Sequence, residues 1–349
     1  ATATTTLSFS GLVGSETLGQ SVSSTFNNKN VGTGKTVTVN SITLSDGSNG
    51  GLASNYTISA GQTTTANITG KSLTVSGITA PNKTYDGNTN APLDISSISY
   101  SGLVSGDDIG GAFSGTFDNK NIGTSKTVTI SSSYSGVDSG NYTVTDQSST
   151  TANITARTLI VSGLTASNKT YDATTSATLD TSNVSYAGLV SGDSFSGSYT
   201  GTFNNANVGT SKLVTISSSY SGDDINNYSI TDQSSTGADI TKASPTISGL
   251  SAQSKFLDES YTLAGTPSIS GLSIAYSSSD TNIASVNSST GAVSILTTGS
   301  STITASIEAT SNYNAATATY ILTISTRPAS SGSPSQVARD TAIRSVNTT

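Results

Sequence analysis

Short runs of alternating apolar and polar residues recur along the chain, as in Thr127–Ile130 and Tyr142–Thr145. In these runs an apolar residue such as Val, Ile or Tyr stands at every second position, and Thr stands between them. This alternation predicts strands with one buried face. About seven such runs fall within each period of 86 residues, and turn-forming residues separate them about every 8–12 positions. This pattern predicts an all-β chain built from small β-sandwiches.

The runs repeat with a fixed period. The pair Asn-Tyr recurs every 86 residues, at Asn55-Tyr56, Asn141-Tyr142 and Asn227-Tyr228. A Lys-Thr-Tyr-Asp segment recurs with the same step; its characteristic residues are Lys83, Tyr85 and Asp86, followed by Gly87, and then Lys169, Tyr171 and Asp172. A fixed period of this length indicates a tandem array of similar domains.

The period and the changes in composition divide the chain into five segments. They are an N-terminally truncated sandwich at 1–70, complete sandwiches at 71–156 and 157–241, a different sandwich at 242–325, and a Ser/Gly/Pro linker with an unassigned tail at 326–349. Sandwiches joined end to end predict an elongated rod. We call the first three sandwiches the first, second and third repeats, and 242–325 the fourth segment.

The first repeat has no counterpart of Lys71–Leu93, which carries the leading strands of the second repeat. A sandwich without these strands has an open edge, and an open edge pairs readily with another strand. Two expectations follow. Either the missing strands lie just upstream in a longer chain, or a strand from a neighbouring molecule completes the sandwich and the chain polymerises.

The segment Asp138–Val144 resembles the tyrosine corner of immunoglobulin-like sandwiches. Tyr142 stands at the start of a late strand, and the apolar Val144 follows two positions later, as in that corner. The Asn-Tyr pair of the other repeats, and Asn312-Tyr313 in the fourth segment, extend the pattern. The corner therefore favours an immunoglobulin-like topology for each sandwich.

Three motifs of the second repeat resemble the YDG repeat of very large bacterial surface proteins. They are Lys83–Gly87, Asn121–Val128 and Ser139–Val144; the third repeat has Ala173 at the glycine position, and the first repeat lacks the YDG signature. The fourth segment resembles bacterial immunoglobulin-like (Big-type) repeats at 277–280, 283–286 and 299–305. The resemblance implies an extracellular stalk of the kind found in filamentous-haemagglutinin-like adhesins at the bacterial cell surface.

Composition excludes several kinds of catalytic site. Because His and Cys are absent, the chain cannot form a Ser-His-Asp triad, a thiol nucleophile or an ordinary zinc site. The adjacent carboxylates Asp107-Asp108 and Asp223-Asp224 are the remaining catalytic candidates. Asp107 recurs 86 residues later as Asp193, and an active site has no reason to recur in each repeat. We therefore expect turn and capping roles and no enzymatic activity.

Cofactors and partners are constrained by charge. We assign no catalytic, cofactor or metal residues; calcium at repeat junctions is the one metal to consider, although no Asp-x-Asp-x-Asp-Gly loop is present. A formal charge of −7 argues against nucleic acid, and no apolar run reaches the roughly 18–20 residues that insert into a membrane. The expected partners are neighbouring repeats, other copies of the chain, and a cell-surface or glycan ligand.

Three functions compete on this basis. The favoured one is a non-enzymatic structural and adhesive stalk of a secreted bacterial surface protein, with tandem repeats acting as a spacer. The alternative is a subunit of an extracellular filament or surface layer that assembles by strand complementation. A carbohydrate-binding module is the least favoured, because Trp is absent. The Lys83, Tyr85 and Asp86 side chains could form a ligand-binding patch, but a structural role is favoured, with Tyr85 over the sandwich edge and Asp86 closing a turn before Gly87.

Overall fold

Strands make up the regular structure of this chain. In the computed structural model, which describes residues 1–328, 31 strands are joined by turns and by three short 3₁₀ helices, Ala53–Asn55, Ser139–Asn141 and Ile225–Asn227. The predicted all-β class and the tandem β-rich repeats are confirmed. None of the helices in residues 1–328 is long and apolar enough to cross a bilayer.

Contacts divide the chain into two compact units. Unit 1 consists of Ala1–Leu159, Ala187–Ser196 and Ser221–Thr231; among the described residues, unit 2 consists of Ile160–Tyr186, Gly197–Tyr220 and 232–328. The third repeat therefore contributes to both units. The predicted linker at Ser330–Ser335 and the tail at Gln336–Thr349 lie outside the described residues.

The first repeat, in unit 1, forms a single sheet. Its strands are β1 (Thr2–Ala3), β2 (Leu18–Phe26), β3 (Gly32–Asp46) and β4 (Thr63–Ile68), in the order β1-β2-β3-β4. All three pairings are antiparallel. Val37 and Val39 of β3 are its buried apolar residues, and they alternate with polar Thr36 and Thr38. β4 lies at one edge of the sheet.

The second repeat, also in unit 1, is a two-sheet sandwich. Its strands are β5 (Lys71–Ser76), β6 (Lys83–Thr84), β7 (Asn90–Ala91), β8 (Ser99–Ser101), β9 (Gly110–Phe117), β10 (Gly123–Ser135), β11 (Tyr142–Thr145) and β12 (Ser149–Thr155). One sheet has the order β6-β12-β10-β9-β7 and the other β11-β5-β8. Val75 and Ile78 pack against Ile130 between the sheets. Two pairs, β5 with β11 and β6 with β12, are parallel.

The third repeat has the same strand pattern with two additional short strands. Its strands are β13 (Arg157–Ser162), β14 (Thr165–Ala166), β15 (Lys169–Thr170), β16 (Ser176–Ala177), β17 (Leu179–Asp180), β18 (Ser185–Ala187), β19 (Ser196–Phe203), β20 (Gly209–Ser221), β21 (Tyr228–Thr231) and β22 (Ser235–Thr241). The large sheet has the order β15-β22-β20-β19-β16. Its core in unit 2 contains Phe203, Val214 and Ile240.

The fourth segment, in unit 2, is another two-sheet arrangement. Its strands are β23 (Ile247–Ser248), β24 (Gln253–Phe256), β25 (Tyr261–Thr262), β26 (Thr266–Pro267), β27 (Ala275–Ser278), β28 (Ala284–Val286), β29 (Ala292–Ile295), β30 (Gly299–Ile307) and β31 (Ala316–Ser325). The main sheets have the orders β24-β31-β30-β27 and β25-β29-β28. Ile303, Tyr320 and Leu322 fill the core between them.

Candidate functional site at the repeat junctions

Two kinds of loop carry most of the polar side chains that connect successive repeats. The first kind, which we call the junction loop, joins the two long strands of a repeat, at Asn27–Val31, Asp118–Ile122 and Asn204–Val208. The second kind is the tyrosine corner, which contains Asn141-Tyr142, Asn227-Tyr228 or Asn312-Tyr313. Each junction loop lies against the corner of the segment that follows it.

The junction loops take their shape from asparagine side chains. Asn28 Oδ1 accepts a hydrogen bond from the backbone N–H of Asn30 at 3.0 Å, and Asn119 Oδ1 accepts one from Asn121 at 3.0 Å. Asparagine bonded to the backbone two residues on forms a turn without help from the rest of the fold. The Asn-Lys-Asn sequence therefore projects the lysine between its two asparagines out of the loop.

At the first junction, Lys29 lies between two carboxylates of the second repeat. Lys29 Nζ is 2.7 Å from Asp107 Oδ1 and 2.7 Å from Asp138 Oδ1. Its hydrogen bonds lower the pKa of both carboxyls, and the two carboxylates raise the pKa of Lys29. All three groups are therefore charged at neutral pH. We call this arrangement of one lysine and two aspartates the clamp.

The tyrosine corner holds both partners at this junction. Asn141 Oδ1 accepts a hydrogen bond from the backbone N–H of Val31 at 2.9 Å. The Tyr142 hydroxyl donates to Asp107 Oδ2 at 2.6 Å and accepts from the backbone N–H of Val104 at 3.0 Å. Burial and the Asp107 carboxylate raise the pKa of Tyr142. The corner therefore orients an aspartate of the clamp and binds the junction loop directly.

The second junction repeats these contacts with equivalent residues. Lys120 Nζ lies 2.7 Å from Asp224 Oδ1 and 3.1 Å from Asp193 Oδ1. Asn227 Oδ1 accepts a hydrogen bond from the backbone N–H of Ile122 at 3.0 Å. The Tyr228 hydroxyl donates to Asp193 Oδ2 at 2.5 Å. All of these residues belong to unit 1.

Tyr85 adds a contact that the first junction lacks. Its side chain is fully buried, and its hydroxyl donates to Asp193 Oδ2 at 2.9 Å. Its ring meets the Tyr228 ring edge to face, with 5.5 Å between centroids. Lys120 Nζ lies 5.9 Å from the Tyr85 centroid, within range of a cation–π interaction. The Tyr of the Lys-Thr-Tyr-Asp segment is thus a junction residue.

Lys83 and Asp86 hold Tyr85 in place. Lys83 Nζ lies 2.8 Å from Asp86 Oδ1 and donates to the backbone oxygens of Asn88 and Asn90, each at 2.9 Å. Asp86 Oδ1 accepts from the backbone N–H of Asn88 at 3.2 Å, which closes a turn over Gly87. These hydrogen bonds join Lys83 and Asp86 to the backbone of the loop between β6 and β7 and restrict its conformation.

Gly87 occupies a position that favours glycine. Its φ is +81°, and a Cβ built on it would lie 2.7 Å from a methyl carbon of Val190. In the third repeat Ala173 takes its place with a φ of +62°, a conformation that costs an L-residue roughly 1–2 kcal/mol.

The third repeat keeps the ion pair of this segment. Lys169 lies 2.7 Å from Asp172 and, with the backbone N–H of Thr174, lowers the pKa of Asp172 to about 2.

The third junction, within unit 2, has the tyrosine contact and not the clamp. Asn312 Oδ1 accepts from the backbone N–H of Val208 at 3.0 Å, and the Tyr171 and Tyr313 rings meet edge to face at 5.2 Å. Ala206 stands where the clamp has its lysine. Ala309 stands three residues before the corner asparagine, where Asp138 and Asp224 stand in the repeats.

The corner of the first repeat keeps the tyrosine geometry. The Tyr56 hydroxyl accepts from the backbone N–H of Val13 at 3.0 Å and donates to Glu16, which aligns with Asp107. Asn55, the equivalent of Asn141, is exposed.

Sequence reasoning identified the motif residues and missed the clamp. Lys29 and Lys120 received no role, and their aspartate partners were assigned to turns. A signal was present: lysine precedes each repeat that carries both aspartates, and Ala206 precedes the segment in which Ala309 replaces one of them. Residues 1–328 contain no group of three or more acidic side chains that could hold a metal ion.

Several solved structures resemble this chain at low sequence identity. A SusE-like surface-located polysaccharide-binding protein from the Bacteroides thetaiotaomicron heparin utilisation locus matches at 10% identity and a TM-score of 0.20, over 89% of this chain and 55% of that one. Domains 1–6 of the surface layer protein SbsC match at 15% and 0.22, over 85% and 45%. The chain spans about half the length of these two structures.

The N-terminal eight immunoglobulin domains of Down Syndrome Cell Adhesion Molecule match at 9% identity and a TM-score of 0.19, over 83% of this chain and 38% of that one. Such values are too low to indicate a shared function. No curated protein matches the chain in sequence. The profile of the YDG domain, however, matches three successive stretches, residues 1–66, 69–152 and 155–236. These stretches cover most of the chain, and the chain belongs to the YDG domain family.

Proposed function

We propose that these repeats form the non-enzymatic structural and adhesive stalk of a secreted bacterial surface protein, with successive repeats held in fixed register by the junction contacts. The observation that carries the proposal is the recurrence of one contact set. At two successive junctions a lysine lies between two aspartates, and the corner asparagine accepts a hydrogen bond from the junction loop. In this proposal the fourth segment is a Big-type repeat of a filamentous-haemagglutinin-like adhesin.

The contacts at each junction suit a spacer. An exposed ion pair alone contributes little to stability, because water and salt screen it. At these junctions, however, the lysine bonds two carboxylates, the asparagine binds the loop backbone, and the corner tyrosine orients one carboxylate. Contacts at separate points on one interface restrict rotation as well as separation. A tandem array with such junctions transmits force and maintains distance between its ends.

The same geometry supports a non-enzymatic role. A general acid or base works best when its pKa lies near the working pH. Asp107 and Asp224 each bond a lysine, and these bonds lower the pKa of both carboxyls further from neutrality. One carboxylate of each adjacent pair that the sequence offered for acid–base chemistry, Asp107 and Asp224, is thus bound by structural partners.

Small-angle scattering of the purified chain tests the stalk. The long strands β9 and β10, of 8 and 13 residues, at roughly 3.3 Å per residue make a sandwich about 25–40 Å long, so we expect a maximum dimension above ~100 Å. The double variant Lys29→Ala with Lys120→Ala should broaden the distribution of distances, because the junctions then bend. Lys255→Ala, which removes a lysine that lies over the Tyr261 ring in the fourth segment, is the matched control. A compact globule would overturn the proposal.

The adhesive part of the proposal has a separate test. The chain should bind weakly to arrays of cell-surface glycans or to whole cells. The clamp variants should bind as well as the parent chain. If neither surface is bound, the repeats act as a spacer alone.

A further inference from the structure

All three junctions have the same asparagine contacts. The corner asparagine accepts a hydrogen bond from the loop backbone, and its side-chain nitrogen donates to a loop asparagine. The donor–acceptor distances of this second bond are 3.4, 3.2 and 3.2 Å, for Asn141 with Asn30, Asn227 with Asn121 and Asn312 with Asn207. Because these contacts do not differ, they hold a loop against a corner without distinguishing one kind of domain from another.

Two other positions differ between the second and third junctions, and they differ together. At the second junction, Lys120 Nζ of the loop lies 2.7 Å from Asp224 Oδ1, and Asp224 stands three residues before the corner asparagine. At the third junction, Ala206 and Ala309 stand at these two positions. The first junction has a lysine and an aspartate in contact, as the second has. The two kinds of junction therefore differ in a pair of side chains that contact each other.

The corner of the third repeat holds its carboxylates in place with its own groups. Asp224 Oδ2 accepts a hydrogen bond from the backbone N–H of Ser194 at 2.9 Å, and Asp193 Oδ2 accepts one from the Tyr228 hydroxyl at 2.5 Å. The side chains of Asp193 and Asp224 are only 3% and 13% exposed. Two nearly buried carboxylates, both within reach of Lys120 Nζ, form a preformed site for one cationic group.

A loop without a lysine would be unsuited to such a corner. Removing one partner of a buried ion pair is strongly destabilising, because it leaves a buried charge without compensation. Here two carboxylates would face each other. At the first junction the Lys29 hydrogen bond lowers the pKa of Asp138, although the negative charge of Asp107 opposes this shift. A loop of the Ala206 type is therefore disfavoured against a corner with two aspartates.

A lysine loop would be unsuited to the corner of the fourth segment. Lys242 Nζ donates a hydrogen bond to the backbone oxygen of Thr310 at 2.6 Å, next to Ala309. This corner thus has a cation close to the position where the other corners have a carboxylate. A lysine at position 206 would lack one of its carboxylates and would lie near a like charge.

We propose that this pair of positions, one in the junction loop and one in the corner, determines which domain can follow a YDG repeat. A loop with lysine accepts a repeat with two aspartates at its corner. The loop with Ala206 accepts the fourth segment and disfavours a further YDG repeat, so the third repeat is an adaptor between two kinds of sandwich. Specificity of this kind needs a penalty for the wrong partner as well as a contact with the right one. The inference rests on the proposed function, in which junction contacts hold successive domains in register.

Hydrogen exchange of the full chain tests this rule at the second junction. The probe is the backbone N–H of Ile122, which donates to the corner Asn227. Lys120→Ala gives this loop the residue of the third junction and should lower the protection of Ile122 at least about tenfold, because two carboxylates lose their partner. Adding Asp224→Asn removes one charge and keeps the acceptor for Ser194. This double variant should return to within about threefold of the parent chain.

The matched control is Lys120→Ala with Asp223→Asn. Asp223 is exposed and adjacent to the clamp aspartate, so this pair of substitutions changes the net charge equally and should restore nothing. Lys120→Met repeats the measurement with the side-chain stem retained, and circular dichroism checks that each variant folds. Unchanged protection in both Lys120 variants, or equal recovery with Asp224→Asn and Asp223→Asn, would overturn the rule.

The third junction gives the reciprocal test, with the backbone N–H of Val208 as the probe. Ala206→Lys should lower its protection roughly two- to fivefold, and adding Lys242→Gln should restore it, because the like charge is removed. Ala206→Gln, of similar length and uncharged, should have the smaller effect; an equal effect would contradict repulsion. Scattering of the parent chain separates the two proposals. An extended profile without these recoveries defeats the pairing rule alone, whereas a compact profile defeats the stalk.

Discussion

The first and second junctions use the same clamp in different surroundings. At the first, the side chain of Lys29 is 54% exposed, and a cavity of about 210 Å³ adjoins its partner Asp107. At the second, Lys120 is 35% exposed, Asp193 is only 3% exposed, and Tyr85 occupies the equivalent space. The difference shows what the YDG tyrosine does. It lies against Lys120 and Asp193, which are less exposed than Lys29 and Asp107, and it adds an aromatic contact with Tyr228.

The third junction is the reverse of the first, which has the clamp and no tyrosine contact. It keeps the tyrosine contact, through Tyr171 and Tyr313, and has Ala206 in place of the clamp lysine. Across the three junctions the asparagine bond to the loop backbone is the constant feature.

The largest expected effect comes from removing the tyrosine that distinguishes the second junction. Tyr85→Ala deletes a fully buried aromatic ring and should cost about 3–5 kcal/mol of unit 1 stability. Chemical denaturation measures this loss of stability, and hydrogen exchange locates it. We expect the greatest loss of protection at Tyr228 and in the turn before Asp193. Tyr171→Ala is the matched variant in unit 2. A loss below about 1 kcal/mol for Tyr85→Ala would contradict the role of this residue in the junction.

A smaller effect should follow when only a hydroxyl is removed from the corner. Tyr228→Phe leaves the backbone N–H of Val190 without a partner and removes one of the hydrogen bonds to the Asp193 carboxylate, which should cost about 1–3 kcal/mol. Tyr142→Phe makes the same change at the more exposed first junction and should cost less. Thermal unfolding of the two variants compares them directly. An equal loss would mean that Tyr85 does not shield the second junction.

The clamps should also make stability depend on pH. Lysine hydrogen bonds lower the folded-state pKa of Asp107, Asp138 and Asp224 below the usual 3.8. A depressed carboxyl pKa stabilises the fold above the unfolded value, and this stabilisation is lost as pH falls through the folded value. Melting temperature should therefore drop below about pH 3.8, and Lys29→Ala with Lys120→Ala should flatten that drop. If the melting temperature of the double variant falls at low pH as steeply as that of the parent chain, the clamps do not contribute to the pH dependence of stability.

The smallest effect should come from grafting a clamp onto the third junction. Ala206→Lys together with Ala309→Asp restores the lysine and one aspartate at the equivalent positions of unit 2. An added exposed ion pair should stabilise by roughly 0.2–1 kcal/mol. Each single variant is the control, because a gain that appears only in the double variant identifies a pairwise interaction. A double variant no more stable than the singles would show that the junction geometry differs there.

The sequence alone determined the fold class and the position of each motif. Alternation with period two is a local property, so it predicts strands such as β10 and β11 without knowledge of their partners. The recurrence of Asn-Tyr and of Lys-Thr-Tyr-Asp at a fixed spacing is also visible in the sequence, and it locates the repeats without knowledge of their contacts. The turn closed by Asp86 and the shape of the junction loops also depend only on neighbouring residues, because these side chains bond the backbone two residues on.

Only the tertiary structure decided which residues meet. Lys29 and Asp107 are 78 positions apart, and Tyr85 and Asp193 are 108 positions apart. Their contact depends on how a loop of one repeat faces the corner of the next, and no periodic pattern encodes that direction. The sequence placed Tyr85 over the edge of its own sandwich; the structure shows that its hydroxyl and ring are used by the following repeat. Side chains at a domain junction acquire their role from the neighbouring domain, and a local pattern contains no information about that neighbour.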